Sequence, residues 1–272
     1  MPRRPEGLVL VGAGRMGLAL LSGWVSRGLA GKGTVVVEPV PSPDLQTLCM
    51  ANRLALNPSG AARPADCLVL AIKPQALDAV APGIAPYVGA KTLLVSILAG
   101  KSIDDLKARL PEVGAVVRAM PNTPAAIGRG ISGLVAGPNA SAAQKGEAED
   151  LLSAVGAAVW LPDESLMDAV TAVSGSGPAY IFLLAEALAE AGRAAGLPGD
   201  VAATLARKTV EGAAALMEAA PSISPATLRE NVTSPGGTTA AALSILMADD
   251  GLQALMRRAV DAAVRRGREL AG

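Results

Sequence analysis

Histidine is absent from the 272 residues of this chain. It is the usual general acid when a ketone is reduced near neutral pH, because hydride addition to a carbonyl makes an alkoxide that needs a proton. A lactate-type dehydrogenase is therefore disfavoured. A protonated C=N bond already carries the charge that hydride addition neutralises, so an enzyme that reduces an imine can work without a strong acid.

The chain also lacks net charge, because 24 Lys and Arg residues balance 24 Asp and Glu residues. Without a strong field of one sign, neither nucleic acid nor an anionic membrane is an expected partner, and a small molecule is favoured. No uninterrupted run of about 18 apolar residues is found, so no membrane-spanning helix is predicted. The start of the chain resembles a signal peptide, but glycines and Arg15 interrupt its apolar run, which indicates a strand, a turn and a helix.

Aromatic residues and cysteines are scarce. Aromatics make up 2% of the chain against 51% for all hydrophobic residues, so helices must pack through Ala, Leu and Val. Cys49 and Cys67 stand in apolar runs without CxxC or metal-ligand spacing. They are predicted to be buried structural thiols in a cytoplasmic protein, and no metal site is predicted.

Two kinds of segment divide the chain. Up to residue 161, short β-rich runs alternate with helical stretches, a rhythm typical of a parallel sheet. The serines that open three of these helices, Ser42, Ser102 and Ser141, are predicted N-caps. From residue 162 onwards only helical patterns occur. We therefore predict an α/β domain over residues 1–161, followed by an all-α domain over residues 162–272.

A glycine-rich stretch, LVLVGAGRMG, joins the first strand to the first helix. Gly12, Gly14 and Gly17 have the GxGxxG spacing, in which the glycines allow a tight turn, close approach of a pyrophosphate, and close packing of helix on strand. The N-terminus of the helix would face the anion. The α/β domain is thus predicted to be a Rossmann-type domain that binds NADP(H) or NAD(H), a purely structural turn being the alternative. The predicted cofactor loop comprises Gly12, Ala13, Gly14, Arg15, Met16 and Gly17.

Residues further along the domain are predicted to contact the cofactor. Glu38 ends the second strand, where a carboxylate would bind the ribose hydroxyls and repel a 2′-phosphate, which favours NADH. Arg15 and Ser42 are near in sequence and could instead recognise that phosphate, so the preference stays open. AIKPQ at 71–75 closes another strand, and Lys73 is interpreted as a phosphate-binding residue or a solvated one.

The uncharged stretch NVTSPGGTT occupies residues 231–239. Gly236 and Gly237 can point successive N–H groups at one anion, and a helix that begins at Thr238 and Thr239 adds its positive end. Such a turn would hold a substrate carboxylate without a lysine. The hydroxyl of Thr239 could then form a hydrogen bond with the nitrogen of an imine. The alternative is a plain connecting loop.

Six motifs together resemble one enzyme family in order and over nearly the whole chain. They are VGAGRMG, AIKPQ, VSILAG at 95–100, RAMPNTPAAIG at 118–128, AVTAVSGSGPAY at 169–180 and NVTSPGGTT. The chain resembles the pyrroline-5-carboxylate reductases, which use NAD(P)H to reduce the cyclic imine 1-pyrroline-5-carboxylate to L-proline, the last step of proline biosynthesis. SGSGPAY and SPGGTT carry most of the specificity.

The resemblance implies roles for individual residues. The loop from Gly12 to Gly17 should hold the pyrophosphate. Gly237, Thr238 and Thr239 should hold the substrate, with Thr239 as the catalytic residue. Glu164 stands where similar proteins place a contact to proline, an ordinary acid in the first turn of a helix being the alternative. The remaining implied cofactor contacts are Ala71, Lys73, Pro74, Ala99, Asn122 and Asn231.

The resemblance also implies how the chain assembles. Similar proteins form homodimers through their helical domains, often as rings of dimers. The sequence departs from the usual VSxAAG motif at Leu98, and EPVPSPD replaces a short Ser-Pro turn after the second strand.

A β-hydroxyacid dehydrogenase is a rival, but Lys208 lacks that family's Gly-x-x-x-Asn-x-x-Lys setting. A non-enzymatic NADPH sensor is the rival of another class.

Overall fold

The computed structural model describes residues 7–271, and an eight-stranded sheet forms the centre of its first part. The strand order is β3-β2-β1-β4-β5-β6-β7-β8. All neighbouring pairs are parallel except β6 with β7. The strands are β1 (Leu8–Val11), β2 (Val35–Val37), β3 (Ala55–Leu56), β4 (Cys67–Leu70), β5 (Leu93–Ser96), β6 (Ala115–Met120), β7 (Gly130–Ala136) and β8 (Gly156–Trp160).

The direction of β7 corrects the expectation of a wholly parallel sheet. Strand β7 is antiparallel to β6, with Val117 opposite Ala136 and Met120 opposite Gly133. Residues 121–129 connect the two strands, and they are fewer than the dozen or more residues that a parallel crossover needs. Strand β3 was not predicted, because two residues are too few to make a pattern.

The core lies on both faces of the sheet. Strands β1, β4, β5 and β6 are buried along their whole length, which explains why they read as continuous runs of Val and Leu. Two apolar clusters cover the two faces. Trp24, fully buried, donates a hydrogen bond of 2.8 Å from its indole N–H to the carbonyl of Leu151.

Helices cover the sheet, and their serine caps are as predicted. The hydroxyls of Ser42, Ser102 and Ser141 each accept a hydrogen bond from the N–H group three residues later. This part of the chain contains α1 (Arg15–Ser26), α2 (Pro43–Asn52), α3 (Leu77–Ile84), α4 (Ile103–Arg109), α5 (Ala142–Ser153), α6 (Met167–Val170) and a π-helical turn at Thr171–Gly175.

The later part of the chain is helical, as expected. It contains α7 (Gly177–Ala194), α8 (Gly199–Ala219), α9 (Pro225–Asn231), α10 (Thr238–Leu246) and α11 (Leu252–Ala271). Small residues bring α7 and α8 together, since a Cβ added at Gly192 would lie 3.3 Å from the Cβ of Ala202. Ser176–Ala262 form one compact unit, and the described residues before and after them form the other. The predicted boundary between residues 161 and 162 stays a prediction.

One helical stretch, Glu164–Ala194, has the length and apolar composition that a membrane-spanning helix would need. Only 6% of the most apolar part of this stretch is buried within the chain. Serines and glycines at 174–177 divide this stretch, so it contains no uninterrupted run of about 18 apolar residues. The exposed apolar side chains on it include Ile181, Phe182 and Leu183.

Candidate active site

The glycine loop between β1 and α1 has a different steric reason for each glycine. Gly12 has a φ of 87°, and a Cβ there would lie 2.7 Å from the carbonyl oxygen of Ala71. A Cβ at Gly17 would collide with the carbonyl oxygen of Gly12. At Gly14 an added Cβ would meet no atom of the described residues within 4 Å. Gly12 and Gly17 are therefore required by packing, whereas Gly14 borders open space that a ligand can approach.

The N-terminus of α1 is suited to bind an anion. Its N-cap is Gly14, which has no side chain to occupy the first N–H groups of the helix. The first backbone bond of this turn runs from the N–H of Leu18 to the carbonyl of Gly14, at 2.8 Å. The N–H groups of Arg15, Met16 and Gly17 precede that bond and add to the positive end of the helix dipole. This geometry fits a pyrophosphate.

Glu38 lies beside this loop, directly after β2. One carboxylate oxygen accepts a hydrogen bond from the N–H of Ala13 at 2.8 Å, and the other accepts one from Val40 at 3.1 Å. The negative charge is thus fixed next to the turn predicted to bind the cofactor. Ser42 differs from Glu38, because its hydroxyl already accepts from the N–H of Leu45 at 3.2 Å as the cap of α2.

Asn57 is a residue that the sequence analysis missed. Its side-chain amide donates to the carbonyl of Glu38 at 2.7 Å, and its side-chain oxygen accepts from the N–H of Glu38 at 2.9 Å. Asn57 has a φ of 45°, in the left-handed region that Asn tolerates better than most residues. An Asn-Pro pair such as residues 57 and 58 is typical of a turn, and the bonds to Glu38 cross 19 residues of sequence, so no local pattern indicates them.

The carboxyl ends of β1 and β4 meet at the point where the strand order reverses, which is where open α/β sheets bind ligands. Ala71 follows β4 and donates a hydrogen bond from its N–H to the carbonyl of Val11 at 2.8 Å. Lys73 is exposed and precedes a 3₁₀ turn that begins at Pro74. The structure therefore brings Ala71 and the glycine loop together.

The loop after β5 explains the departure at Leu98. This side chain is 2% exposed and packs in one of the two apolar clusters of the core. The next residue, Ala99, is exposed. Leu98 therefore replaces a small residue on the core side of the loop, and the exposed position next to it is unchanged.

Asn122, at the end of β6, is 9% exposed and connects two other segments. Its side-chain oxygen accepts from the N–H of Ile131 at 2.9 Å, and its amide donates to the carbonyl of Ser174 at 3.3 Å. The second contact fixes the π-helical turn at Thr171–Gly175, within the AVTAVSGSGPAY motif. π-helical turns are frequent at functional sites.

Glu164 is held within the first unit. One carboxylate oxygen lies 2.5 Å from a guanidinium nitrogen of Arg118 and accepts a hydrogen bond from the N–H of Ile103 at 2.8 Å. Arg118 itself is 7% exposed. The substrate contact implied for Glu164 stays a prediction, and its carboxylate already has two partners in the chain.

In the helical unit, the turn before α10 differs in one detail from the expectation. Gly236 has the predicted left-handed backbone, with a φ of 69°. The N–H of Gly237, however, donates to the carbonyl of Ser234 at 3.0 Å, because it closes the turn, and so it does not point at a ligand. The free donors are the first N–H groups of α10, from Thr238 and Thr239, since their N-cap Gly237 has no side chain.

Other predicted site residues have simpler surroundings. Asn231 is exposed at the end of α9, and Thr238 and Thr239 are exposed. Cys49 and Cys67 are buried free thiols, as predicted. Burial, and then the charges of Glu147 and Asp66, raise the pKa of Cys67 well above its usual range. Burial also raises the pKa of Cys49, and a thiol with a raised pKa is a poor nucleophile.

Comparisons with known proteins agree over nearly the whole chain. A family profile described as pyrroline-5-carboxylate reductase dimerisation matches residues 164–270, and one described as NADP oxidoreductase coenzyme F420-dependent matches residues 8–100. A pyrroline-5-carboxylate reductase of Pseudomonas aeruginosa is 43% identical over 97% of this chain and 96% of its own. One from Haemophilus influenzae is 38% identical over 97% of each chain. The chain belongs to the pyrroline-5-carboxylate reductase family.

Solved structures of pyrroline-5-carboxylate reductases have the same fold. One from Coxiella burnetii matches with a TM-score of 0.89 and 32% identity, over 99% of this chain and 100% of its own. One from Plasmodium falciparum, with NADP bound, matches with a TM-score of 0.80 and 28% identity, over 98% of each chain. The resemblance drawn from the six motifs is confirmed, as is a Rossmann-type domain followed by a helical dimerisation domain.

Membership of the pyrroline-5-carboxylate reductase family makes this chain an NAD(P)H-dependent oxidoreductase that acts on a C=N bond. The family also accounts for a chain without histidine, because its reaction needs no strong acid. Membership of this family rules out the β-hydroxyacid dehydrogenase that would use Lys208 as its acid. Lys208 forms an ion pair with Glu211 at 2.6 Å on an exposed face of α8. A dimerisation domain implies that the protein works as an oligomer.

Proposed function

We propose that this protein reduces 1-pyrroline-5-carboxylate to L-proline through two helix N-termini that bind anions, one for the cofactor and one for the substrate. The observation that carries the proposal is that α1 and α10 both begin after a glycine N-cap, which leaves their first N–H groups free. NAD(P)H carries a pyrophosphate and the substrate carries a carboxylate. Each anion thus has a matching helix end.

On the cofactor side, the proposed contacts lie along the carboxyl edge of the sheet. NAD(P)H, when bound, supplies the hydride. The N–H groups from Gly14 to Gly17 hold the pyrophosphate, and Glu38 binds the ribose hydroxyls, which favours NADH over NADPH. Ala99 and Asn122 border the nicotinamide. The other proposed cofactor contacts are Ala71, Lys73, Pro74 and Asn231.

On the substrate side, the N–H groups of Thr238 and Thr239 hold the carboxylate. Gly236 makes the turn possible through its left-handed backbone, and Gly237 lets the carboxylate approach because it has no side chain. The hydroxyl of Thr239 forms a hydrogen bond with the ring nitrogen, accepting its N–H while the imine is protonated, and orients the C=N bond for attack. Thr239 is the proposed catalytic residue, because it contacts the reacting atoms.

We further propose a cytoplasmic homodimer that can assemble into a ring of dimers. The apolar side chains exposed on α7 support this assembly, because a second copy would remove them from water. The same pairing accounts for the exposed stretch Glu164–Ala194 without a membrane. The proposed domains, residues 1–161 and 162–272, assign cofactor binding to the first and the substrate and the dimer contact to the second.

The deciding experiment incubates the purified protein with 1-pyrroline-5-carboxylate and either NADPH or NADH, and follows the absorbance of the reduced cofactor. Consumption of cofactor that depends on the imine, with proline as the product, is the expected result. Cofactor binding by fluorescence without turnover would indicate a sensor and contradict the proposal.

A further inference from the structure

Arg118 is a buried charge in the middle of the sheet. It lies on β6, opposite Ser96 of β5 and Val135 of β7, and is 7% exposed. A guanidinium taken this far out of water requires an anionic partner. Glu164 is that partner, with 2.5 Å between the two charged groups.

Glu164 also completes the N-terminus of α4. The side chains of Ser102 and Asp105 bind each other's backbone N–H groups there. The N–H of Ile103, the first residue of α4, has no partner inside the helix by geometry. The carboxylate of Glu164 accepts this remaining donor at 2.8 Å, so one oxygen atom joins α4 to β6.

The two joined elements carry the two proposed walls of the nicotinamide site. Strand β6 leads to Asn122, and the loop before α4 contains Ala99. The bonds of Glu164 cross 46 residues to Arg118 and 61 residues to Ile103. Glu164, which belongs to neither wall, therefore links the two walls in addition to the direct pairing of β5 with β6.

We infer that Glu164 and Arg118 are positioning residues, which hold the loop of Ala99 and the end of β6 at the spacing that the nicotinamide ring needs. Glu164 acts through Ile103 and Arg118, and makes no contact with the substrate. This inference rests on the proposed function, because it concerns the geometry of the nicotinamide within that same site. It differs from the substrate role that the family resemblance implies for Glu164.

The two roles of Glu164 predict opposite results for the variant Glu164→Ala. A positioning role predicts that kcat falls by about tenfold to a hundredfold, because a displacement of the ring by about 1 Å is enough for such a loss. The affinity for NADPH should fall as well, and inhibition by proline should stay within about twofold of wild type. A substrate contact predicts the reverse: weaker inhibition by proline and unchanged NADPH affinity.

A double-mutant cycle tests whether Glu164 and Arg118 act together. Arg118→Met keeps the length of the side chain and removes the charge, and the pair Glu164→Ala/Arg118→Met removes both partners. If they act as one unit, the double variant loses no more kcat than the worse single variant. Losses that multiply would overturn the inference. Glu112→Ala, an exposed acid before β6, is the control and should behave as wild type.

Glu164→Ala leaves Arg118 buried without its partner, which lowers the stability of the fold. A milder variant therefore separates lost positioning from lost folding. Glu164→Gln keeps an oxygen for the N–H of Ile103 and should show a smaller loss of the same kind. A glutamine variant that binds NADPH normally but is no longer inhibited by proline would refute the positioning role. If wild type binds NADPH without turnover, the proposed function fails, and NADPH affinity across the same cycle still tests the positioning role.

Discussion

At the scale of single residues, the site combines free backbone donors with few charged side chains. Glu38 and Glu164 are both fixed by backbone N–H groups, at 2.8 Å from Ala13 and from Ile103 respectively. Carboxylates held in this way have lost their rotational freedom before any ligand arrives. Substitutions at these positions therefore change geometry as well as charge.

Thr239→Val tests the proposed hydrogen bond between Thr239 and the imine nitrogen. Valine has nearly the shape of threonine without its hydroxyl, so the turn should survive and the loss should appear in kcat. Loss of one positioned hydrogen bond should lower kcat by about tenfold to a thousandfold. Steady-state kinetics at saturating imine measure this effect, and an unchanged kcat would remove Thr239 from the mechanism.

Glu38→Gln separates the charge of Glu38 from its shape. The amide oxygen can still accept the N–H of Ala13, while the repulsion of a 2′-phosphate disappears. The ratio of kcat/KM for NADPH to that for NADH should rise about tenfold or more. Asp44→Asn, an exposed acid in the first turn of α2, is the matched control. A ratio that moves equally in both variants would mean that Glu38 does not select the cofactor.

At the scale of elements, helix ends determine much of both the fold and the site. The serine caps were predictable, because a cap depends on residues three positions apart. The direction of β7 was not, since GLVA reads alike in a parallel and an antiparallel strand. Asn57 and the Arg118–Glu164 pair were also beyond prediction, because their partners lie 19 and 46 residues away. Local patterns thus predicted the glycine loop, and tertiary contacts fixed how its neighbours are held.

Thr238→Pro tests the N-terminus of α10 as the carboxylate site. Proline is favoured at the first position of a helix and has no N–H group, so the variant removes one donor while the helix persists. The inhibition constant of proline should rise by about tenfold or more, as expected for a lost hydrogen bond to a charge. Thr238→Ala keeps the N–H and should stay near wild type. Equal inhibition constants in the two variants would count against the site.

Ser102→Ala tests the cap of α4, which the positioning role of Glu164 requires. Loss of the cap should lower the free energy of unfolding by about 1 kcal/mol at pH 7. The N–H and hydroxyl of Ser102 bond to Asp105 and lower the pKa of that carboxyl. The stabilisation by ionised Asp105 is therefore complete above the pKa of an unfolded aspartate, about 3.9. It is lost as the pH falls through the lower pKa that Asp105 has in the folded protein. Urea unfolding should show a smaller difference between variant and wild type at pH 3 than at pH 7.

At the scale of the whole molecule, the two units differ in how they satisfy their apolar residues. The first unit buries them around its sheet. In the helical unit, the buried hydrophobic residues are Ala202 and Ala206 among those described, while larger side chains remain exposed. A unit with so little buried apolar surface gains stability from a partner, which fits the match of residues 164–270 to a dimerisation family.

Phe182→Glu tests the proposed dimer. Phe182 is 64% exposed on α7, and a carboxylate there would have to be buried in an apolar contact between copies. Analytical ultracentrifugation should show the variant shifted towards the mass of one chain, with reduced activity. Met50→Glu, at a residue that is 80% exposed on α2, is the matched control. A Phe182→Glu protein with wild-type mass would place the contact elsewhere.

The exposed apolar surface of α7 also has a consequence for how the protein is made. In the proposed dimer, a newly synthesised chain buries this surface only after it meets another copy, so until then it offers the same surface to any other unfolded chain. Pairing of two copies competes with aggregation. The rate of aggregation rises more steeply with protein concentration than the rate of pairing, because an aggregate recruits many chains. Recovery of active enzyme from denaturant should therefore pass through a maximum as protein concentration rises, and a holdase chaperone should move that maximum to higher concentration.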